Sequence, residues 1–294
     1  MRGPIVWFGG KGNMLQKILP LFPSHHIYVE PFGGGASLLF AKHPSPVAVY
    51  TDMDEGLVCL FRVLRDPDQF ARLHHHVSLT PYSRAEWKEC KETWDACTDP
   101  VERAYRWFVV ARQSFSGDFA ASWGSVVTAS SRGMAETCSN WLSTIENLPA
   151  IHARLMCVQI EQADWRVILD RYDTPLTLFY CDPPYVPATR KDGEYAHELS
   201  LMDHHELVTL LLGLKGMAIL SGYPSPVYEP LTDAGWQVHS FQTACSATAR
   251  TRNTNLLGEG SLLIHQPRTE CLWISPRAIK QPLLQRTLKD MVEG

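Results

Sequence analysis

No CxxC pair occurs in this 294-residue sequence, although it carries eight cysteines (Cys59, Cys90, Cys97, Cys138, Cys157, Cys181, Cys245 and Cys271). Their scatter argues against a zinc module or a disulfide scaffold and for reduced thiols, the state expected in a cytoplasm. No stretch approaches the roughly 18–20 apolar residues of a membrane span, so no membrane partner is expected. The N-terminal run MRGPIVWFGGKG lacks the apolar core of a signal peptide. A basic excess is missing too. The formal net charge is −4, so any nucleic-acid contact must come from a local basic face rather than from global charge. There is no internal repeat and no low-complexity tract.

What the sequence has is an α/β pattern interrupted once. With 45% hydrophobic residues it holds enough apolar surface for one large domain or a domain carrying an insertion. Ile27–Phe32 is an apolar segment ending in Gly33-Gly34-Gly35, Ala36–Ala41 starts a helix, Val47–Asp52 is a second apolar run, and Leu57–Leu64 has helical spacing. Strand, glycine turn, helix, strand opens a Rossmann-like unit. From about Asp66 to Arg154 the character changes: Trp87, Trp94, Trp107, Trp123 and Trp141 lie here, with a Gly/Ser-rich stretch from Gln113 to Gly133. Helices are expected near Arg84–Trp94, Val101–Val110 and Ala135–Leu148, with a long loop between the last two. The α/β pattern then resumes, with strands expected at Cys157–Glu161, Thr177–Asp182, Met217–Ser221, Gln237–Gln242 and Glu270–Ile274, and helices at His204–Leu214 and Tyr228–Ala234. The expected division is a catalytic unit of residues 1–65 and 155–294, split by an insertion over 66–154.

Three segments carry chemistry. Leu178–Tyr185 delivers a carboxylate, two prolines and an aromatic ring to the end of an apolar strand, where open α/β sheets place ligands. Pro183 and Pro184 have no N–H, so Asp182 and neighbouring carbonyls present acceptors only, which suits an amino group with two hydrogens. Tyr185 can stack on a planar base. An ordinary strand-ending turn would use the same residues. In Val29–Gly35 the glycines allow close backbone approach. Their spacing is not GxGxxG, and Asp52, about 20 residues on at the next strand end, suits ribose hydroxyls. Trp7-Phe8-Gly9-Gly10-Lys11 combines aromatics, a turn and a cation that could pair with a carboxylate, though a surface turn reads the same way.

WFGGK, VEPFGGG, an acidic strand end, an insertion and CDPPY occur in that order, and in this order the sequence resembles the DNA adenine methylase (Dam-like) family over nearly its whole length. Arg112–Gly117 and Thr269–Trp273 take part in the resemblance. It implies a Rossmann-like methyltransferase sheet with a mostly helical target-recognition insertion, and transfer of a methyl group from S-adenosylmethionine (leaving S-adenosylhomocysteine) to N6 of adenine in double-stranded DNA. By position, Trp7, Lys11, Phe32, Gly33, Gly35, Asp52, Asp164 and Asp182 would bind the cofactor. Asp182, Pro183, Pro184 and Tyr185 would hold the flipped base. Phe32–Gly35 is one residue shorter than the family's F-x-G-x-G, so the glycine assignments admit a slip of one.

Adenine N6 is a weak nucleophile because its lone pair is delocalised, and acceptors at its hydrogens favour localisation of that pair. Asp182 is assigned as acceptor rather than strong base. Arg112, Arg132, Arg250 and Arg252, in polar stretches, and Phe115 are the candidates for DNA contact. His74-His75-His76 and His204-His205 look like metal clusters, but consecutive helical residues point apart, and no metal is expected. The alternatives are a methyltransferase for another planar amino group (cytosine N4, RNA adenine, a glutamine amide) or a DNA-binding module without turnover. A monomer or the partner of a restriction system fits equally well.

Overall fold

The computed structural model describes residues 1–7, 9–186, 198–244 and 267–281. Among these, seven strands form one sheet: β1 (Ile27–Glu30), β2 (Val47–Thr51), β3 (Gln159–Glu161), β4 (Thr177–Cys181), β5 (Met217–Gly222), β6 (Gln237–Ala244) and β7 (Pro267–Ile274). Their order is β3-β2-β1-β4-β5-β7-β6. The first five are mutually parallel, and β7 runs antiparallel to β5 and β6.

Among the described residues the α-helices are α1 (Leu15–Ile18), α2 (Ser37–Ala41), α3 (Glu55–Arg65), α4 (Pro67–Ser78), α5 (Arg84–Thr93), α6 (Pro100–Gln113), α7 (Glu136–Leu155), α8 (Trp165–Tyr172), α9 (Leu201–Gly213), α10 (Glu229–Asp233) and α11 (Pro276–Lys280). Several starts follow from single residues. Asp54, Asp66 and Asp99 accept N–H groups of the first turns of α3, α4 and α6, with proline opening the last two. Ser200 and Asp203 form a reciprocal capping box on α9.

β4 and β5 are buried along their whole lengths, as parallel strands covered on both faces must be. Side-chain alternation then sorts each strand into two cores. Tyr28, Tyr50, Leu178, Tyr180 and Ile219 face one, with Phe61, Leu73, Trp107, Phe108 and Trp141 from α3, α4, α6 and α7. Val29, Val49, Phe179, Cys181 and Leu220 face the other, with Ile168 of α8 and Leu207 of α9. Residues 66–154 therefore extend the first core outward, with α4, α6 and α7 packed on α3.

Some boundaries move from their expected places. β3 starts at Gln159 because Cys157 and Val158 donate back to Arg154 and Leu155 in the turn leaving α7. That helix runs on to Leu155, past Pro149. α4 and α8 were not anticipated as elements. The long loop is organised: Ser114 bridges Trp123, and a hairpin pairs Ser130–Ser131 with Met134–Ala135. The hairpin turns on Arg132 and Gly133, both at positive φ, the geometry of a two-residue hairpin turn.

Candidate active site

From β1 the chain winds outward to β2 and β3 on one side, while β4 and β5 extend the sheet on the other. The reversal leaves a crevice beyond the carboxyl ends of β1 and β4. Glu30 ends β1 and Asp182 follows β4, and both line a cavity of about 480 Å³, within the usual range for small-molecule sites.

The glycine turn after β1 is fixed by packing. A Cβ on Gly33 would stand 2.2 Å from the Tyr50 ring, and one on Gly34, at φ +45°, would stand 2.7 Å from the Trp7 indole nitrogen. Much of the space the glycines free is thus filled by Tyr50 and Trp7, which press the turn into shape from both sides. Tyr50 also donates its hydroxyl to Gly34 O at 2.9 Å. Asp52 holds the turn from the next strand, accepting Gly34 N–H at 2.7 Å through one oxygen and Asp54 N–H at 2.9 Å through the other. Burial raises its pKa despite those two donors.

Lys11 does not stand free. Its buried ammonium pairs with Asp182 Oδ2 at 2.8 Å, donates to Gly9 O at 3.0 Å and lies 5.0 Å from the centre of the Tyr185 ring. Burial disfavours the ammonium, but the fields of Asp182 and Glu270 outweigh it and push its pKa up. The cation therefore joins the N-terminal segment to the Asp-Pro-Pro-Tyr turn some 170 residues later. Asp182 Oδ1 is buried and has no hydrogen-bond partner among the described residues. Tyr185 is buried, with its hydroxyl 3.2 Å from Ser221 Oγ and its ring edge-on to Tyr223. Glu30 accepts from the Tyr28 hydroxyl at 2.7 Å, and burial pushes its pKa up to about 7.

Of the expected cofactor residues, Trp7, Lys11, Phe32, Gly33, Gly35, Asp52 and Asp182 all line this cavity. Asp164 does not. It caps α8 and pairs with Arg166 at 3.1 Å, while its neighbour Trp165 lines the cavity and packs at 5.9 Å from Phe32. Pro184 lines the cavity as well. Arg112, in the last turn of α6, turns its guanidinium onto α7, donating to Thr144 Oγ1 and Asn140 O. Arg132, at the hairpin turn, holds Glu146 through both terminal nitrogens. Phe115 lies in the short turn after α6. Arg250 and Arg252 fall outside the described residues. Among the described residues no group of three metal-ligating side chains assembles. Sequence reasoning missed the wall formed by Gly117–Ala120, which no local pattern announces.

A Rossmann-like sheet of this order, with its antiparallel seventh strand and its cavity at the switch point, places the protein among the methyltransferases. The model of the D12 class N6 adenine-specific DNA methyltransferases matches residues 7–221. The chain belongs to that family. It is 26% identical over 279 residues to the Type II methyltransferase M1.LlaDCHI of Lactococcus lactis subsp. cremoris, spanning 86% of this chain and 92% of the relative. It is 25% identical over 118 residues to the DNA adenine methylase of Salmonella typhi, 40% of this chain and 42% of that one. Among solved structures it is similar to the rRNA methyltransferase aviRa from Streptomyces viridochromogenes, at 10% identity and a TM-score of 0.38, covering 92% and 86% of the two chains.

Proposed function

We propose that the cavity binds S-adenosylmethionine and that Asp182–Tyr185 receive a flipped adenine of double-stranded DNA, whose N6 is methylated at a specific sequence. One observation carries this reading: among the described residues Asp182 Oδ1 is a buried acceptor without a donor, beside two prolines that supply none. Such an orphan costs free energy, and an exocyclic amino group entering the site would satisfy it.

When bound, S-adenosylmethionine supplies a methyl carbon already activated by its positively charged sulfur. The protein's own residues then have three tasks. Asp52 and the glycine turn would anchor the nucleoside end, with Phe32 and Trp165 as apolar walls. Asp182 would accept from N6 and draw its lone pair out of the ring as the nitrogen becomes tetrahedral, with Lys11 holding the carboxylate in position. Tyr185, fixed by Ser221 and Tyr223, would bound the base pocket, with Lys11 over its ring. Alignment of the two reactants accounts for much of the acceleration, roughly 7–11 kcal/mol in favourable cases. Extraction of the base costs a few kcal/mol of stacking. Arg112, Phe115 and Arg132, with Arg250 and Arg252, remain the candidates for DNA contact, and residues 66–154 the candidate recognition unit. Likeness to a Type II methyltransferase supports a restriction system as the setting.

The test is incubation with methyl-labelled S-adenosylmethionine and unmethylated duplex DNA, followed by nucleoside analysis. Label in N6-methyl-2′-deoxyadenosine is expected. Label in N4-methylcytosine, in RNA alone or nowhere overturns the proposal.

A further inference from the structure

Part of the cavity wall comes from the segment after α6, far in sequence from the ends of β1 and β4: Gly117, Asp118, Phe119 and Ala120. Several contacts hold it there. Ser116 and Gly117 both have positive φ, 60° and 73°, so the chain turns sharply. A Cβ on Gly117 would lie 2.4 Å from Val6 O, which seats the turn against the N-terminal segment beside Trp7. The loop is closed at its base by Phe115 N–H to Ser122 O (2.8 Å) and Gly124 N–H to Gln113 O (2.7 Å). Gln113 is fully buried and ties that base down, accepting Ser83 N–H and donating to Pro81 O. Phe119 packs 4.9 Å from Trp107, which in turn stacks on Trp7.

Asp118 is the charged group this loop brings to the cavity. Its Oδ1 accepts Ala120 N–H at 2.8 Å, and its Oδ2 has no partner among the described residues. The other charged groups lining the cavity have tasks. Glu30 accepts from Tyr28, Asp52 from the N–H groups of Gly34 and Asp54, and Asp54 from Leu57 N–H. Lys11 pairs with Asp182 and Gly9 O, and the second oxygen of Asp182 is the one proposed for the target amino group. A ligand whose amino-acid end enters beside Trp7 brings an ammonium group, and Asp118 Oδ2 is an uncommitted acceptor for it.

We infer that the loop Gly117–Ala120 is part of the cofactor site and that Asp118 accepts a hydrogen bond from the ammonium of the bound cofactor. The inference rests on the reading that this cavity takes S-adenosylmethionine. It makes the segment between α6 and α7 a wall of the cofactor site as well as a candidate DNA reader.

Calorimetric titration of three ligands tests it: S-adenosylmethionine, S-adenosylhomocysteine, and methylthioadenosine, which has the same nucleoside but no amino-acid end. Asp118→Asn keeps the side-chain size and the Oδ1 contact to Ala120, so the fold is retained, which an unchanged melting temperature checks. The variant is expected to bind the first two about 10-fold more weakly and methylthioadenosine as tightly as the parent does. Unchanged affinity for all three, or an equal loss for all three, overturns the role of Asp118 while leaving the cofactor reading intact. A parent protein that binds none of the three overturns the cofactor reading, and this inference with it.

Discussion

Asp182 gives one carboxylate oxygen to Lys11 and leaves the other without a donor among the described residues, so its two parts are separable by mutation. Asp182→Asn keeps an oxygen for Lys11 and replaces the oxygen that would meet N6 as it becomes tetrahedral with an amide donor. Methyl transfer is expected to fall by about 10²–10³-fold, with S-adenosylhomocysteine affinity kept within a few-fold. Single-turnover methylation beside a binding titration separates the two, and a variant of parental activity would remove Asp182 from catalysis. Glu30 contributes differently. Its folded pKa of about 7 lies above the ordinary value of 4.5, chiefly because burial disfavours the charged carboxylate. The folded state therefore holds the proton more tightly than the unfolded chain. That contribution is fully present below about pH 4.5 and is lost as pH rises through 7. Glu30→Gln cannot ionise, so its stability relative to the parent is expected to increase from pH 4.5 to pH 8. Urea midpoints across that range measure it, and a difference independent of pH would mean Glu30 is not titrating there.

At the scale of elements, the glycine turn shows what a local pattern leaves out. Val29–Gly35 reads as a strand ending in a flexible turn, and so it is, but its shape is set by rings from elsewhere. Gly33→Ala would drive a Cβ to 2.2 Å from Tyr50, whereas a Cβ on Gly12 meets nothing within 4 Å. Overpacking of this kind costs about 1–3 kcal/mol, so Gly33→Ala is expected to lower the urea midpoint. Gly12→Ala should shift stability by no more than about 0.5 kcal/mol. Equal effects would mean Tyr50 yields freely. The same division explains what was legible in the sequence. β1, β2, β4, β5, α5, α6 and α9 announce themselves through apolar periodicity and Gly, Pro or Asp punctuation, all local signals. The cavity residues that end those elements were legible for the same reason. The partner of Lys11 was not, since the contact with Asp182 spans the chain and has no period. Nor was the turn of Arg112 onto α7, because a polar neighbourhood in sequence says little about packing across helices. Asp164 was read as a ligand residue, and in the structure it caps α8 while the adjacent Trp165 faces the cavity.

For the whole molecule the question is whether residues 66–154 fold as a separate unit. The core argues that they do not. Trp107 of α6 is 1% exposed, and a Cβ on Gly56 of α3 would meet its ring at 2.1 Å. Phe108 and Trp141 share one apolar cluster with Tyr28 and Tyr50 of the sheet. Taken away, the segment would leave the outer apolar face of α3 open to water, and its own apolar residues share one cluster with α3 and the sheet. Unfolding is therefore expected to be a single cooperative transition. Hydrogen-exchange protection in α6 and α7 should be lost together with that in β1 and β2 as urea rises. Trp107→Ala, which empties the space between Gly56, Trp7 and Phe119, should lower the unfolding free energy by about 3–5 kcal/mol, move that common midpoint down and leave no stable fragment behind. Separate midpoints, with 66–154 melting first while the strands stay protected, would instead mark the segment as an independent domain docked on a self-sufficient sheet.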